Sequence, residues 1–353
     1  MPVTVAVNPA TGAVSGPPAT AALEWHRQQP GYLATPLHDL PELARALSLD
    51  RVWVKDETSR FGLPAFKMLG ASWAARVALR LRRPTGVPVL VAATDGNHGQ
   101  AVARVAAGLG CRARIFVPAN TAAVRIAAIA AERAEVDAES ADYDVAVARA
   151  AEFAAHPGAV LVSDTALEPG EPVPAAVVDG YATLFWEIGD ALGPHRPDLV
   201  TVQIGSGGLA AAAARFFRAP GSGHPTLYGI EPTDAGCAFA SIGQPAPTLI
   251  SSAFDSVMVG LNVGRLSATA WPDVSAGFDA FTLIDDPWCR RAQRLLAQHG
   301  INAGETGSAG LAGLLALRAA AADCPGRPGL APVAAARSAL VIVTEGPTGA
   351  SPA

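Results

Sequence analysis

The chain has 353 residues, half of them hydrophobic and 16% charged, with a formal net charge of -5. That length supports two domains, each burying its own core, and the charge balance argues against nucleic acid or an anionic membrane as partner and for a small molecule. Four scattered cysteines without a CxxC pair suggest neither a zinc site nor a disulfide framework and fit a reducing cytoplasm.

The N-terminal MPVTVAVNPATGAVSGPP has no basic stretch followed by an apolar core, so no signal peptide is expected. Apolar runs are broken by Gly, Pro or charge before reaching the roughly 20 residues of a membrane span, and no transmembrane helix is expected. In chain order, strands are predicted at 52–54, 87–93, 113–117, 160–162, 199–204, 227–230, 281–284 and 340–343. Between them, helices are predicted at 67–81, 98–109, 122–132, 142–156, 173–192, 209–217, 287–299 and 307–321. Strands alternating with Ala-rich helices predict an α/β protein with largely parallel sheets. Residues 9–18 and the stretch CPGRPGLAPVAAARS read as flexible surface segments. The Pro/Gly-rich DTALEPGEPVPA, residues 164–175, predicts a crossing between domains.

Of the 26 Lys+Arg residues only Lys55 and Lys67 are lysines. A coding bias toward Arg explains the depletion but not the positions of the two that remain. Lys67 stands where a helix begins, against the helix dipole; a neutral amine there would have a lowered pKa, suited to a Schiff base with an aldehyde. A solvated lysine is the ordinary alternative.

The strand-turn-helix element VPVLVAATDGNHGQAVARVA places TDGNHG at the carboxyl end of a strand, where open α/β sheets bind ligands. Asp95 is a candidate acid or base there, and Asn97 offers an amide to a ring hydroxyl. Read blandly, Asp95 is an N-cap, Asn97 a turn residue and His98 a satisfied surface histidine. In VTVQIGSGGLAAAAARFF, Gly205, Ser206, Gly207, Gly208 and Leu209 lead from a strand into a helix N-terminus, a phosphate-binding geometry. It lacks the P-loop ending and the GxGxxG spacing, so it implies neither a nucleoside triphosphate nor a dinucleotide, and a ligand-free tight turn remains open. Thr344, at the end of the last strand, can meet a ring nitrogen or be an ordinary strand-end threonine. Glu305, in GETGSAG, is either a helix cap or a residue facing the site.

Taken in order, FKMLG, TDGNHG, GSGGLA, GIEP, ETGSAG and VTEG resemble the fold-type-II pyridoxal-phosphate enzymes, the group of serine/threonine dehydratases, threonine synthase and cysteine synthase. The resemblance covers most of residues 32–347. RFGLPAFKMLGAS, ATDGNHGQAVA, SDTALEPG with VPAAVVDGYATL, and EPTDAGC look most like diaminopropionate ammonia-lyase. The resemblance implies two three-layer αβα domains with pyridoxal 5'-phosphate in the cleft between them. The large domain is expected at 1–66 and 172–353 and the small one at 67–171.

By the same resemblance, Lys67 holds the cofactor as a Schiff base, Asn97 contacts its phenolic oxygen, Gly205 to Leu209 cradle its phosphate, and Thr344 faces its pyridine nitrogen. A hydroxyl partner there leaves the ring less protonated than a carboxylate would and favours β-elimination. Asp95 would be a second base for the D-substrate, and Asp164 would bind the substrate's amino group. Lys55 implies a structural or gating role; Tyr32, Thr35 and Pro36 look like the family's opening segment, without an assigned chemistry. The implied activity is β-elimination from a small amino acid, 2,3-diaminopropionate to pyruvate and ammonia. A dehydratase-like or β-replacing enzyme of specialised metabolism is the alternative. A cytoplasmic homodimer and no metal are expected. Two departures stand out: the chain runs only about seven residues beyond VTEG, where the subfamily is longer, and its IPTW stretch is VPAAVVDG here.

Overall fold

The apolar runs pair into two sheets in the computed structural model, which describes residues 3–94, 96–324 and 326–347. Eleven strands lie among the described residues: β1 Thr4–Val7, β2 Leu37–Asp39, β3 Arg51–Asp56, β4 Val89–Ala93, β5 Arg112–Pro118, β6 Glu135–Ser140, β7 Ala159–Leu161, β8 Leu199–Gln203, β9 Thr226–Pro232, β10 Ala280–Ile284 and β11 Ser338–Val343. The larger sheet has the order β1-β10-β9-β8-β11-β3-β2, parallel inside and antiparallel at both edges. The smaller is β6-β5-β4-β7 and wholly parallel. β8 and β11 are buried along their whole length, as strands covered on both faces must be.

Helices Lys67–Arg82 and Pro172–Leu192 lie between the sheets, and the largest apolar core joins them to Leu90 and Ala92 of β4 and to Val200, Val202, Leu340 and Ile342 of β8 and β11. A second core fills the far face of the larger sheet under helices Asp286–Gln298 and Glu305–Asp323. A third lies under helix Tyr143–Ala154 on the far face of the smaller one. Each sheet is therefore the middle of three layers.

All eight predicted strands and eight predicted helices are present, with ends displaced by a few residues. Strands β1, β2 and β6 were not predicted. Each is a sheet edge or close to it, and β6, EVDAES, is half charged and only partly buried, so it carries no apolar run. The segment before β11 departs from the flexible reading: its composition is low in complexity, but Leu330 and Val333 are fully buried around a short helix, Ala331–Ala335. No helix among the described residues is long and apolar enough to cross a membrane.

Candidate active site

Lys67 is the first residue of helix Lys67–Arg82. The chain leading to it is pinned to the carboxyl end of β11: the Phe66 amide donates to the Thr344 carbonyl at 3.1 Å, the Gly346 amide to the Pro64 carbonyl at 2.8 Å, and Ala65 bridges to Glu345. The lysine is thus set beside Thr344 by backbone bonds.

From across the cleft, Asp164 follows β7 and meets Lys67 Nζ at 2.9 Å. The lowered lysine pKa expected at a helix N-terminus is not found. Burial does oppose the ammonium, but the Asp164 carboxylate and the neighbouring Tyr181 outweigh it and hold the Lys67 pKa above its ordinary value. Burial likewise opposes ionisation of Asp164, and the charge and hydrogen bond of Lys67 reverse that, leaving it well below the usual carboxylate range. The pair therefore carries opposite charges at neutral pH.

His98 is buried rather than on the surface. Its Nε2 lies 2.8 Å from the Val162 carbonyl, an acceptor only, so Nε2 carries the proton. Nδ1 is left with its lone pair, unpartnered, 4.0 Å from Asp164 Oδ2. Burial lowers the His98 pKa, which keeps the ring neutral.

Asn97 opens helix Asn97–Gly108, and its amide donates to Glu345 Oε2. Glu345 is buried, and burial raises its pKa. Asp95 lies outside the described residues.

The glycine loop follows β8 into helix Gly208–Phe217. Gly207 has φ +89, in the left-handed region, and a Cβ there would sit 2.6 Å from Leu266 Cδ2. At Gly205 a Cβ would come within 2.7 Å of the Gly260 carbonyl oxygen. Such a turn keeps the loop backbone free of side chains as it enters the helix N-terminus, the geometry an anion needs. The Ser206 carbonyl accepts from the Ser267 amide at 3.0 Å and Ser267 Oγ accepts from the Ala166 amide at 3.0 Å, tying the loop to the Asp164 segment. Thr344 is buried and its Oγ1 accepts from Gln203 Nε2 at 3.0 Å, which leaves the hydroxyl's own proton free to donate.

Lys67, Asn97, Asp164, Gly205 to Leu209 and Thr344 are therefore linked by one set of contacts. This donor set fits a phosphorylated aldehyde: an amine for the carbonyl carbon, helix N-terminal amides for the phosphate, a hydroxyl for a ring nitrogen. Sequence reasoning missed Tyr181, Glu345 and Gln203 and favoured the bland reading of His98. Glu345 stood one residue from Thr344 in VTEG and Tyr181 within VVDGYATL, but each looks locally like a strand end or a core aromatic.

Comparison with known proteins agrees with the geometry. Diaminopropionate ammonia-lyase of Salmonella typhimurium is 31% identical over 300 residues, covering 78% of this chain and 74% of its own. The enzyme of the same name from Escherichia coli K12 is 30% identical over 315 residues, covering 82% and 79%. The crystal structure of the Escherichia coli enzyme in complex with an aminoacrylate-PLP azomethine reaction intermediate superposes with a TM-score of 0.85 at 28% identity, covering 98% of this chain and 94% of that one. A threonine deaminase isoform of Solanum lycopersicum shares the fold at a TM-score of 0.77. Residues 28–327 match the family described as pyridoxal-phosphate dependent enzymes, and it is to this family, with the fold-type-II architecture, that the chain belongs.

Proposed function

We propose that the enzyme eliminates the β-amine of 2,3-diaminopropionate, giving pyruvate and ammonia. The observation that carries this reading is the Lys67–Asp164 pair at 2.9 Å in the cleft. When Lys67 Nζ is bound to the cofactor it is no longer a free ammonium, and the Asp164 carboxylate, buried and without that partner, calls for a second cation to keep it ionised. A substrate β-ammonium supplies that cation, and in a partly dry site the attraction is strong; serine has none.

Lys67 is assigned to hold the cofactor, with Asn97 toward its phenolic oxygen, the backbone of Gly205, Ser206, Gly207, Gly208 and Leu209 around its phosphate, and Thr344 at its ring nitrogen. Pyridoxal phosphate, when bound, spreads the charge left on the substrate's α-carbon into its conjugated ring. Lys67, freed by the incoming amine, takes the α-proton onto Nζ. The β C–N bond then breaks with its electron pair on nitrogen, and the β-ammonium departs from Asp164 as ammonia. The released aminoacrylate takes up water, giving pyruvate and a second ammonia. Asp95 is assigned as the base for the D-isomer on the subfamily resemblance.

We place the domain boundaries at 1–66 with 172–353 and at 67–171, and infer a homodimer in the cytoplasm; the four free cysteines suit a reducing compartment. The test is direct. Purified protein with pyridoxal phosphate is given each isomer of 2,3-diaminopropionate while pyruvate and ammonia are followed, with serine and O-substituted serines as controls. Pyruvate from diaminopropionate, lost in Lys67→Ala, is the expected result. Faster turnover of an O-substituted serine would overturn the substrate assignment, and turnover surviving in Lys67→Ala would overturn the base.

A further inference from the structure

Tyr181 is 2% exposed, and its hydroxyl is buried without a hydrogen-bond partner. Around its ring the chain is made of glycine. A Cβ on Gly70 would lie 2.5 Å from Tyr181 Cε1, one on Gly208 3.3 Å from Cε2, and one on Gly180 2.4 Å from the Leu69 carbonyl oxygen. Helices Lys67–Arg82 and Pro172–Leu192 thus meet almost backbone to backbone, and the ring enters between the first turn of the lysine's helix and the glycine loop. It packs on Phe66 with centroids 4.6 Å apart, and Lys67 Nζ is 5.8 Å from its centroid. Phenylalanine would fill this space equally well, and a buried hydroxyl without a partner costs stability. The oxygen therefore calls for a polar duty at the lysine.

We propose that Tyr181 is a positioning residue for Lys67, its phenolic oxygen accepting a hydrogen bond from the lysine ammonium beside Asp164 and so strengthening the amine as a base. Burial pushes the phenol up to about 12, against the opposing charge of Lys67 and with a smaller push from Asp164. It stays protonated through the working range, a neutral acceptor that adds no second anion. The groups facing Lys67 among the described residues are then Asp164 and Tyr181, with His98 acting through Asp164. The inference rests on Lys67 being the reactive amine.

Of the chain's two lysines Lys55 is fully buried, so only the Lys67 side chain is open to a reagent. Cofactor-free full-length protein and Tyr181→Phe are acylated with acetic anhydride at fixed pH beside an added lysine-containing reference peptide, and the Lys67 and reference peptides are quantified by mass spectrometry. Losing the acceptor lowers the Lys67 pKa by about one unit, so Lys67 acylation relative to the reference rises about tenfold. With the cofactor, kcat for 2,3-diaminopropionate falls about tenfold while KM changes little, and the base limb of the pH profile moves down by about one unit. An unchanged labelling ratio would overturn the proposal. So would an unchanged ratio with weakened cofactor affinity, which would assign the hydroxyl to the phosphate instead. If Lys67→Ala keeps turnover, the reading of Lys67 has failed; if it does not and Tyr181→Phe is silent, this inference alone has failed.

Discussion

The charged cluster under the loop that delivers Lys67 permits a worked prediction. Lys55, Glu57, Arg60 and Glu187 are all buried, two cations against two carboxylates. Glu187 accepts from Lys55 Nζ at 2.6 Å, from Arg60 Nη1 and Nη2 at 2.8 Å each, from the Tyr32 hydroxyl at 2.8 Å and from the Thr35 amide at 3.2 Å. Burial opposes its ionisation, but the hydrogen bonds and charge of Arg60, then Lys55, bring its pKa down to about 2. From the ordinary 4.5 that is roughly 2.5 units, about 3 kcal/mol at 1.36 kcal/mol per unit.

Glu187→Gln keeps the shape and leaves two buried cations facing Glu57 alone. The expected loss is about 3 kcal/mol, consistent with the roughly 3–5 kcal/mol for breaking a buried pair, and a large share of a typical 5–15 kcal/mol total. Urea unfolding measures it as a lower midpoint at nearly unchanged slope. Because the folded pKa of this acid is depressed, its contribution is complete above about 4.5 and is lost as pH falls toward about 2; the variant lacks that part of the acid dependence. Adding Lys55→Met to Glu187→Gln removes the surplus cation, so the double variant should be more stable than Glu187→Gln alone. A loss under about 1 kcal/mol, or strictly additive losses in the double variant, would refute the reasoning.

Three further outcomes are expected. Asp164→Asn should lower kcat for diaminopropionate at least about 100-fold, measured as pyruvate release, since it removes both the β-ammonium's partner and the anion that sustains Lys67. In Asp95→Asn, turnover of the D-isomer should collapse while the L-isomer persists; equal effects on both would remove Asp95 as a stereospecific base. His26, held between Thr183 Oγ1 at 2.7 Å and Ser72 Oγ at 3.1 Å, is brought down to about 4 by burial and then Arg60. A base depressed in this way stabilises the fold above about 6.5 and loses that contribution as pH falls toward about 4, so His26→Gln should flatten the melting temperature across that window.

Much of this site was legible because its demands are local. Gly207 must be glycine for its own φ, Lys67 is one of only two amines, and Thr344 ends a wholly buried strand, so a short window of sequence shows each. The alternation of apolar runs and Ala-rich helices likewise showed the parallel sheets, while β6, charged at every other residue, showed nothing. What stayed hidden depends on partners far along the chain. The direction of the Lys67 pKa was misread because the helix dipole is local and Asp164 is 97 residues away. Tyr181 passes for core because the two glycines flanking its ring, Gly70 and Gly208, belong to other helices. A sequence displays a reactive group readily, but the groups that set its proton affinity are assembled by the fold. The basicity of Lys67 therefore belongs to the placing of Asp164 against it as much as to the lysine.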